Sequence, residues 1–196
     1  TTPRVFSIDE MRLFFGLNLD KKHPQYVYWN VGKLLFMLRG INITDLLLLS
    51  DKNIVDNRIV YKRAKTGKVY SISINQYIEE VLSDFTPNET LLGLFDQNQL
   101  KRENITQALH QKRKLINQHL KKIGQSIGAR ETLTTYVFRY SYANIAKQLG
   151  YSKDLIAEAL GHEYGNAVTG IYLEPFDLDE VDNMNLNIFD ILRQKI

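Results

Sequence analysis

The chain has 196 residues, 44% hydrophobic and 24% charged, with no cysteine and a formal net charge of +3. That length and apolar share suit one globular domain with its own core, and the lack of cysteine excludes disulfides and thiolate metal sites. The most apolar stretch, residues 31–38, is interrupted by Gly32 and Lys33; it is far shorter than the roughly 20 residues a membrane-spanning helix needs, so it reads as a core helix.

The first predicted element is a helix over 8–18, with Ser7 as N-cap and Glu10 at the capping-box position. A charged loop with His23 and Pro24 leads to a largely apolar helix over 26–39, which Gly40 stops, and a short helix follows over 44–49. The period then changes. Ile54 and Val55 run into an Asp56-Asn57 turn, 58–63 alternates with Ile59 and Tyr61 on one face, Thr66-Gly67 turns the chain, and 69–74 alternates again with Ile72 and Ile74 together. This pattern predicts a small three-stranded antiparallel sheet. The remainder reads as helices over 75–85, ended by Pro87; over 104–123, with Ile105, Leu109, Ile116, Leu120 and Ile123 on one face; from Thr134 or Thr135 to Leu149, stopped by Gly150; from the Ser152 cap to Leu160, stopped by Gly161; and over the apolar, acidic tail 178–196. The class is mainly α with one small sheet.

Charge is unevenly spread. Residues 101–130 hold eight Lys or Arg against one acid, Glu103, and residues 51–70 hold six against two; from 173 onward six acids face two bases. A basic body with an acidic tail reads either as a polyanion-binding surface or as a solvated helix face; on the first reading Lys62, Arg63, Lys68, Lys112, Arg113, Lys114, Lys121 and Lys122 are the candidate contacts.

Four features stand out chemically. Arg39 ends an apolar helix, where an unpaired guanidinium is costly; its acceptor is either Asp45 or a phosphate gripped by two parallel hydrogen bonds. Lys65 stands at a hairpin tip, exposed or aimed at a ligand. Arg139 lies near a helix start, a place suited to an anion, or is stacked on Tyr136 or Tyr140. His162 follows a helix stop, with Tyr172 ten residues on; singly, such residues are usually a cap and a core aromatic. A separate pattern, Ala146, Gly150 and Ile156 within 144–160, has helix-turn-helix spacing and makes a non-catalytic DNA-binding protein the alternative reading. Its recognition helix would carry Asp154 and Glu158 with Lys153 as its one base, a poor groove reader.

In their order and spacing, Leu38-Arg39-Gly40, Lys65-Thr66-Gly67, Tyr136 to Arg139, Leu160-Gly161-His162 and Tyr172 resemble the signature of the tyrosine recombinases, the phage-integrase family, and most closely integrases of bacterial phages and conjugative transposons. The resemblance, which runs from about Ser7 onward, implies the DNA breaking-rejoining fold of the family's catalytic domain. It implies that 1–196 is a single catalytic domain with 176–196 as a C-terminal tail helix, and that the family's N-terminal core-binding domain lies outside this chain. It further implies that Arg39 and Arg139 hold the scissile phosphate, Tyr172 attacks phosphorus, Lys65 protonates the leaving 5′-oxygen and His162 donates to the phosphate, with no cofactor and no metal. The implied partner is double-stranded DNA at a specific recombination site, with a homotetramer on DNA, a monomeric isolated domain, no membrane association, and a cytoplasmic, nucleoid-associated place in a bacterium.

Three positions bear on the match. The family box reads His-x-x-Arg, and here Tyr136 stands in place of the histidine. A phenol ionises near pH 10 in its reference state, which makes it a hydrogen-bond donor rather than a base near neutrality. Asn42 stands where an acid often follows the first arginine, which leaves Asp45 to orient Arg39, and Tyr164 is too close to His162 to replace Tyr172 as nucleophile. The tail is expected to fold onto its own core, the alternative being a neighbouring protomer.

Overall fold

The computed structural model describes residues 4–161 and 177–194. Its elements are α1 (Ile8–Phe15), α2 (Tyr26–Met37), α3 (Ile43–Leu48), a single 3₁₀ turn (Asp51–Asn53), β1 (Ile54–Val55), β2 (Arg58–Lys62), β3 (Val69–Ser73), α4 (Gln76–Leu82), α5 (Ile105–Ser126), α6 (Thr135–Gln148), α7 (Lys153–Leu160) and α8 (Leu178–Arg193). The strands form one antiparallel sheet in the order β1-β2-β3.

Local chemistry explains the boundaries. Ser7 accepts from the Glu10 amide while the Glu10 carboxylate accepts from the Ser7 amide, so α1 opens on a complete capping box. Asn75 caps α4 through Tyr77 and Ile78, and Ser152 caps α7 through Leu155. In the sheet, Ile59 pairs with Ile72 and Tyr61 with Tyr70. All four turn inward, and the two tyrosine rings stack at 5.0 Å.

The core sits around α2. Its residues Val31, Leu34, Leu35, Phe36 and Met37 are buried, and α4, α5 and α6 pack on it. Gly32 is what lets them approach. A Cβ there would lie 2.8 Å from the Phe14 ring and 2.9 Å from the Phe138 ring, which themselves meet edge-on at 5.3 Å. Lys33 is accommodated by laying its ammonium 3.7 Å over the Trp29 ring, and burial pushes its pKa down to about 8. The C-terminal helix α8 folds back on the same chain, burying Val181, Met184, Ile188, Phe189 and Leu192 against α1, α6, α7 and β3. Among the described residues no helix is long and apolar enough to cross a membrane.

The sequence-based helix over 26–39 ends two residues early. Leu38 closes α2, and Arg39 and Gly40 both take left-handed backbone, at φ 57° and 68°. Arg39 is therefore in the turn after the helix, not in it.

Replacing Gly32 with alanine offers a helix-propensity gain of about 1 kcal/mol, but it drives a methyl into two buried rings. The expected net effect is a stability loss of about 1 kcal/mol, read as a lower urea midpoint with an unchanged slope.

Candidate active site

The site is built where the end of α2 meets the start of α6. Helix α6 is oriented by its buried side: Phe138 packs on Phe14, and Ser141 accepts the Phe6 amide at 2.8 Å. Its first amide, that of Thr135, is satisfied by Asn117 of α5 at 3.0 Å. That orientation leaves Tyr136 60% exposed and aims Arg139 across the domain at Gly40. The approach is backbone to backbone: a Cβ on Gly40 would lie 2.6 Å from the Arg139 Cα. The turn that carries Arg39 is thereby held against the backbone of Arg139, a hundred positions on. A cleft at this junction is lined by Gly40, Ile41, Asn42, Ile43, Arg63, Thr135, Tyr136 and Arg139.

Arg139 donates from Nη1 to the Gly40 carbonyl at 3.1 Å and from Nη2 to the Leu160 carbonyl at 2.6 Å. The Leu160 carbonyl, at the C-terminal end of α7, also accepts the Tyr70 hydroxyl at 2.6 Å. Carbonyls at a helix C-terminus carry partial negative charge, so they suit two such donors. Gly161, in left-handed backbone, closes α7 directly against Tyr70, whose hydroxyl a side chain there would strike. The next residue, His162, lies outside the described residues, as do Tyr164 and Tyr172.

Arg39 is only 4% exposed. Its Nη2 donates to the Ser71 carbonyl at 2.5 Å and lies 3.7 Å from Asp182 on α8. Burial pulls its pKa below the usual guanidinium range, opposed by Tyr142 and Asp182. The expectation that Asp45 orients Arg39 is corrected by this geometry. Asp45 instead accepts the Ala64 amide at 3.3 Å, bracing the β2–β3 hairpin, and burial raises its pKa against that hydrogen bond and the nearby Arg63. Asn42 is engaged locally, accepting the Thr44 amide as cap of α3. The stacking alternative for Arg139 gives way to its two carbonyl contacts.

Lys65 is exposed at the hairpin tip, closed by the Gly67 amide on the Arg63 carbonyl at 2.8 Å. The hairpin is tied to α7 by Lys68 and Glu158, 3.4 Å apart. The same pair turns α7, the would-be recognition helix, toward the sheet. Lys62 is exposed and Arg63 half-buried at the cleft. On α5, Arg113, Lys114, Lys121 and Lys122 are exposed. Lys114 and Lys121 flank Asn117 at helical spacing, on the side where α5 holds the start of α6. Lys112 faces elsewhere, half-buried with its ammonium 5.4 Å over the Phe95 ring.

No family model matches this sequence, and no curated protein is similar to it at a significant level. Solved structures do match. The integrase of mycobacterium phage Brujita superposes with a TM-score of 0.66 at 11% identity, over 100% of this chain and 61% of that one. The lambda integrase catalytic core gives 0.55 at 15%, over 82% of this chain and 95% of that one, and XerA recombinase gives 0.55 at 18%, over 99% and 65%. This chain has the catalytic-domain fold of the tyrosine recombinases. The recombinase fold accounts for the mainly helical body and for the three-stranded sheet beside it. The chain spans less than two thirds of the phage Brujita and XerA proteins.

Two residues at this site escaped sequence reasoning. Asp182 lies in the acidic tail, and Arg58 sits on β2, its Nη1 2.7 Å from Asp182 and its Nε 2.6 Å from the Ser71 hydroxyl. Neither carries a local motif; only the tertiary contact exposes them.

The Gly40–Arg139 contact has a direct test. Alanine at 40 must hold a positive φ and displace helix backbone rather than a pliable side chain. The loss is expected to be about 2 kcal/mol or more, measured by urea unfolding.

Proposed function

We propose that this chain is the catalytic domain of a site-specific DNA recombinase that cuts and rejoins strands through a 3′-phosphotyrosine on Tyr172. The observation that supports the reading is the Gly40–Arg139 contact, with the Arg139 guanidinium on the Leu160 carbonyl at the end of α7. Among the solved neighbours, XerH is a site-specific recombinase captured on its difH substrate; the match, at 18% identity and TM-score 0.56, lends this chain a duplex DNA partner within the proposal.

In this mechanism Arg39 and Arg139 offset the negative charge that grows on the non-bridging oxygens as phosphorus becomes five-coordinate. The Tyr172 hydroxyl gives up its proton to solvent as its oxygen bonds to phosphorus, the bond to the 5′-oxygen breaks, and Lys65 delivers a proton to that oxygen. Tyr136, exposed at the cleft, and His162 donate hydrogen bonds to the phosphate. Rejoining reverses the steps: a 5′-hydroxyl attacks the phosphotyrosine and expels Tyr172, so the bond energy is kept and no nucleotide or metal is called on. The exposed cations of α5 and the hairpin follow the DNA backbone, and protomers assemble as a tetramer on the DNA.

The test is a nicked suicide duplex bearing the natural crossover site, given to the unsubstituted chain and to Tyr172→Phe. A covalent adduct on a denaturing gel with the former and none with the latter is the expected result. Adduct in both removes Tyr172 as nucleophile; binding without adduct in either favours the non-catalytic alternative. Lys114→Ala with Lys121→Ala is expected to weaken duplex binding and to flatten its dependence on log salt concentration by about 2. An unaltered slope would place the DNA on another face.

A further inference from the structure

We propose that Asp182 is the positioning residue that sets the Arg39 guanidinium for strand transfer, so the catalytic site is complete only when α8 is docked. This rests on the recombinase reading above. One carboxylate serves two guanidiniums: Oδ1 faces Arg39 Nη2 at 3.7 Å, and Oδ2 receives Arg58 Nη1 at 2.7 Å. Ser71 joins the pair from below, its carbonyl accepting from both Arg39, at 2.5 Å, and Arg58, at 3.1 Å. Arg58 has its Nε, Nη1 and Nη2 engaged with Asp182 and Ser71, so it acts as a brace. Among the described residues Arg39 commits only Nη2, and its buried Nε has no hydrogen-bond partner.

The charge balance matters. Among the described residues one buried and one half-buried guanidinium face one acid, which leaves the cluster positive, and a positive excess out of water favours an incoming anion. Among the described residues the positions near Arg39 in sequence are engaged elsewhere: Asn42 caps α3 and Asp45 braces the hairpin. The anchoring of Asp182 is also specific. One turn further along α8, Asn185 donates to the Met37 carbonyl at 3.1 Å, at the last residue of α2 and two before Arg39. Helix α8 thus grips both the end of α2 and the arginine that follows it.

The experiment uses the whole chain on the same nicked duplex, comparing adduct-formation rate, duplex affinity and thermal midpoint for Asp182→Asn and Asp182→Glu. The asparagine keeps size and polarity, and the apolar face of α8 still docks. The expected result is a rate lower by about 100-fold, the scale of a misplaced catalytic group, with affinity unchanged and most of the rate restored by Asp182→Glu. Asp182→Asn is expected to add no further loss in an Arg39→Lys background, because both changes act on one guanidinium. Three results overturn the proposal: a parental rate with Asp182→Asn, a full further loss in the Arg39→Lys background, or rate, affinity and thermal midpoint falling together. If the unsubstituted chain forms no adduct, the recombinase reading itself fails and takes this role with it; an adduct with the unsubstituted chain and a parental rate for Asp182→Asn removes the positioning role alone.

Discussion

Gly40 and Arg139 meet with no room for a side-chain carbon between them, and much of the site follows from that contact. Helix α2 must stop before it, which it does by giving Arg39 and Gly40 consecutive left-handed conformations. A non-glycine residue held at positive φ stores strain that surrounding structure must sustain, and here the surroundings are two helices and a strand. Helix α6 must present Arg139 at the right height, and its position is fixed by Phe138, Ser141 and the Asn117 bond to its first turn. Packed elements on both sides therefore hold the Arg39–Gly40 turn against the Arg139 backbone.

The electrostatics follow the same plan. Arg139 is oriented by carbonyl dipoles, from Gly40 and from the end of α7. Arg39 and Arg58 share one acid. Nearby phenols add bulk rather than charge: burial raises the pKa values of Tyr61 and Tyr142 above the ordinary phenol range, keeping both neutral. The Arg39 guanidinium thus lies near buried, uncharged phenols. In such surroundings each unit of charge acts over a longer range than it would in water.

Local signals were legible in the sequence because local physics decides them. The Ser7–Glu10 capping box, the Ser152 cap, the Gly161 stop and the alternation of β2 and β3 all depend on residues within a few positions of one another. The arginine turn was harder. An apolar run ending in Arg-Gly reads as a helix carried through residue 39, whereas the need to meet Arg139 unwinds it at Leu38. The acid that pairs with Arg39 was legible least of all. Asp45, six positions on, was the near candidate, yet the actual partner is 143 positions along the chain, in a tail whose acids the sequence shows only as a charge count. The cation cluster on α5 was visible as composition, but its split between the face beside α6 and the Phe95 side depends on helix phase against the core.

The pairing of residues 39 and 182 also has a meaning in time. A chain emerging from synthesis delivers its earlier segments first, so α2, the sheet and α6 are available to fold before α8 exists. In that interval Asp182 is not yet there to face the two guanidiniums beside Ser71. A molecule clipped ahead of α8 keeps both arginines and loses the carboxylate that lies between them.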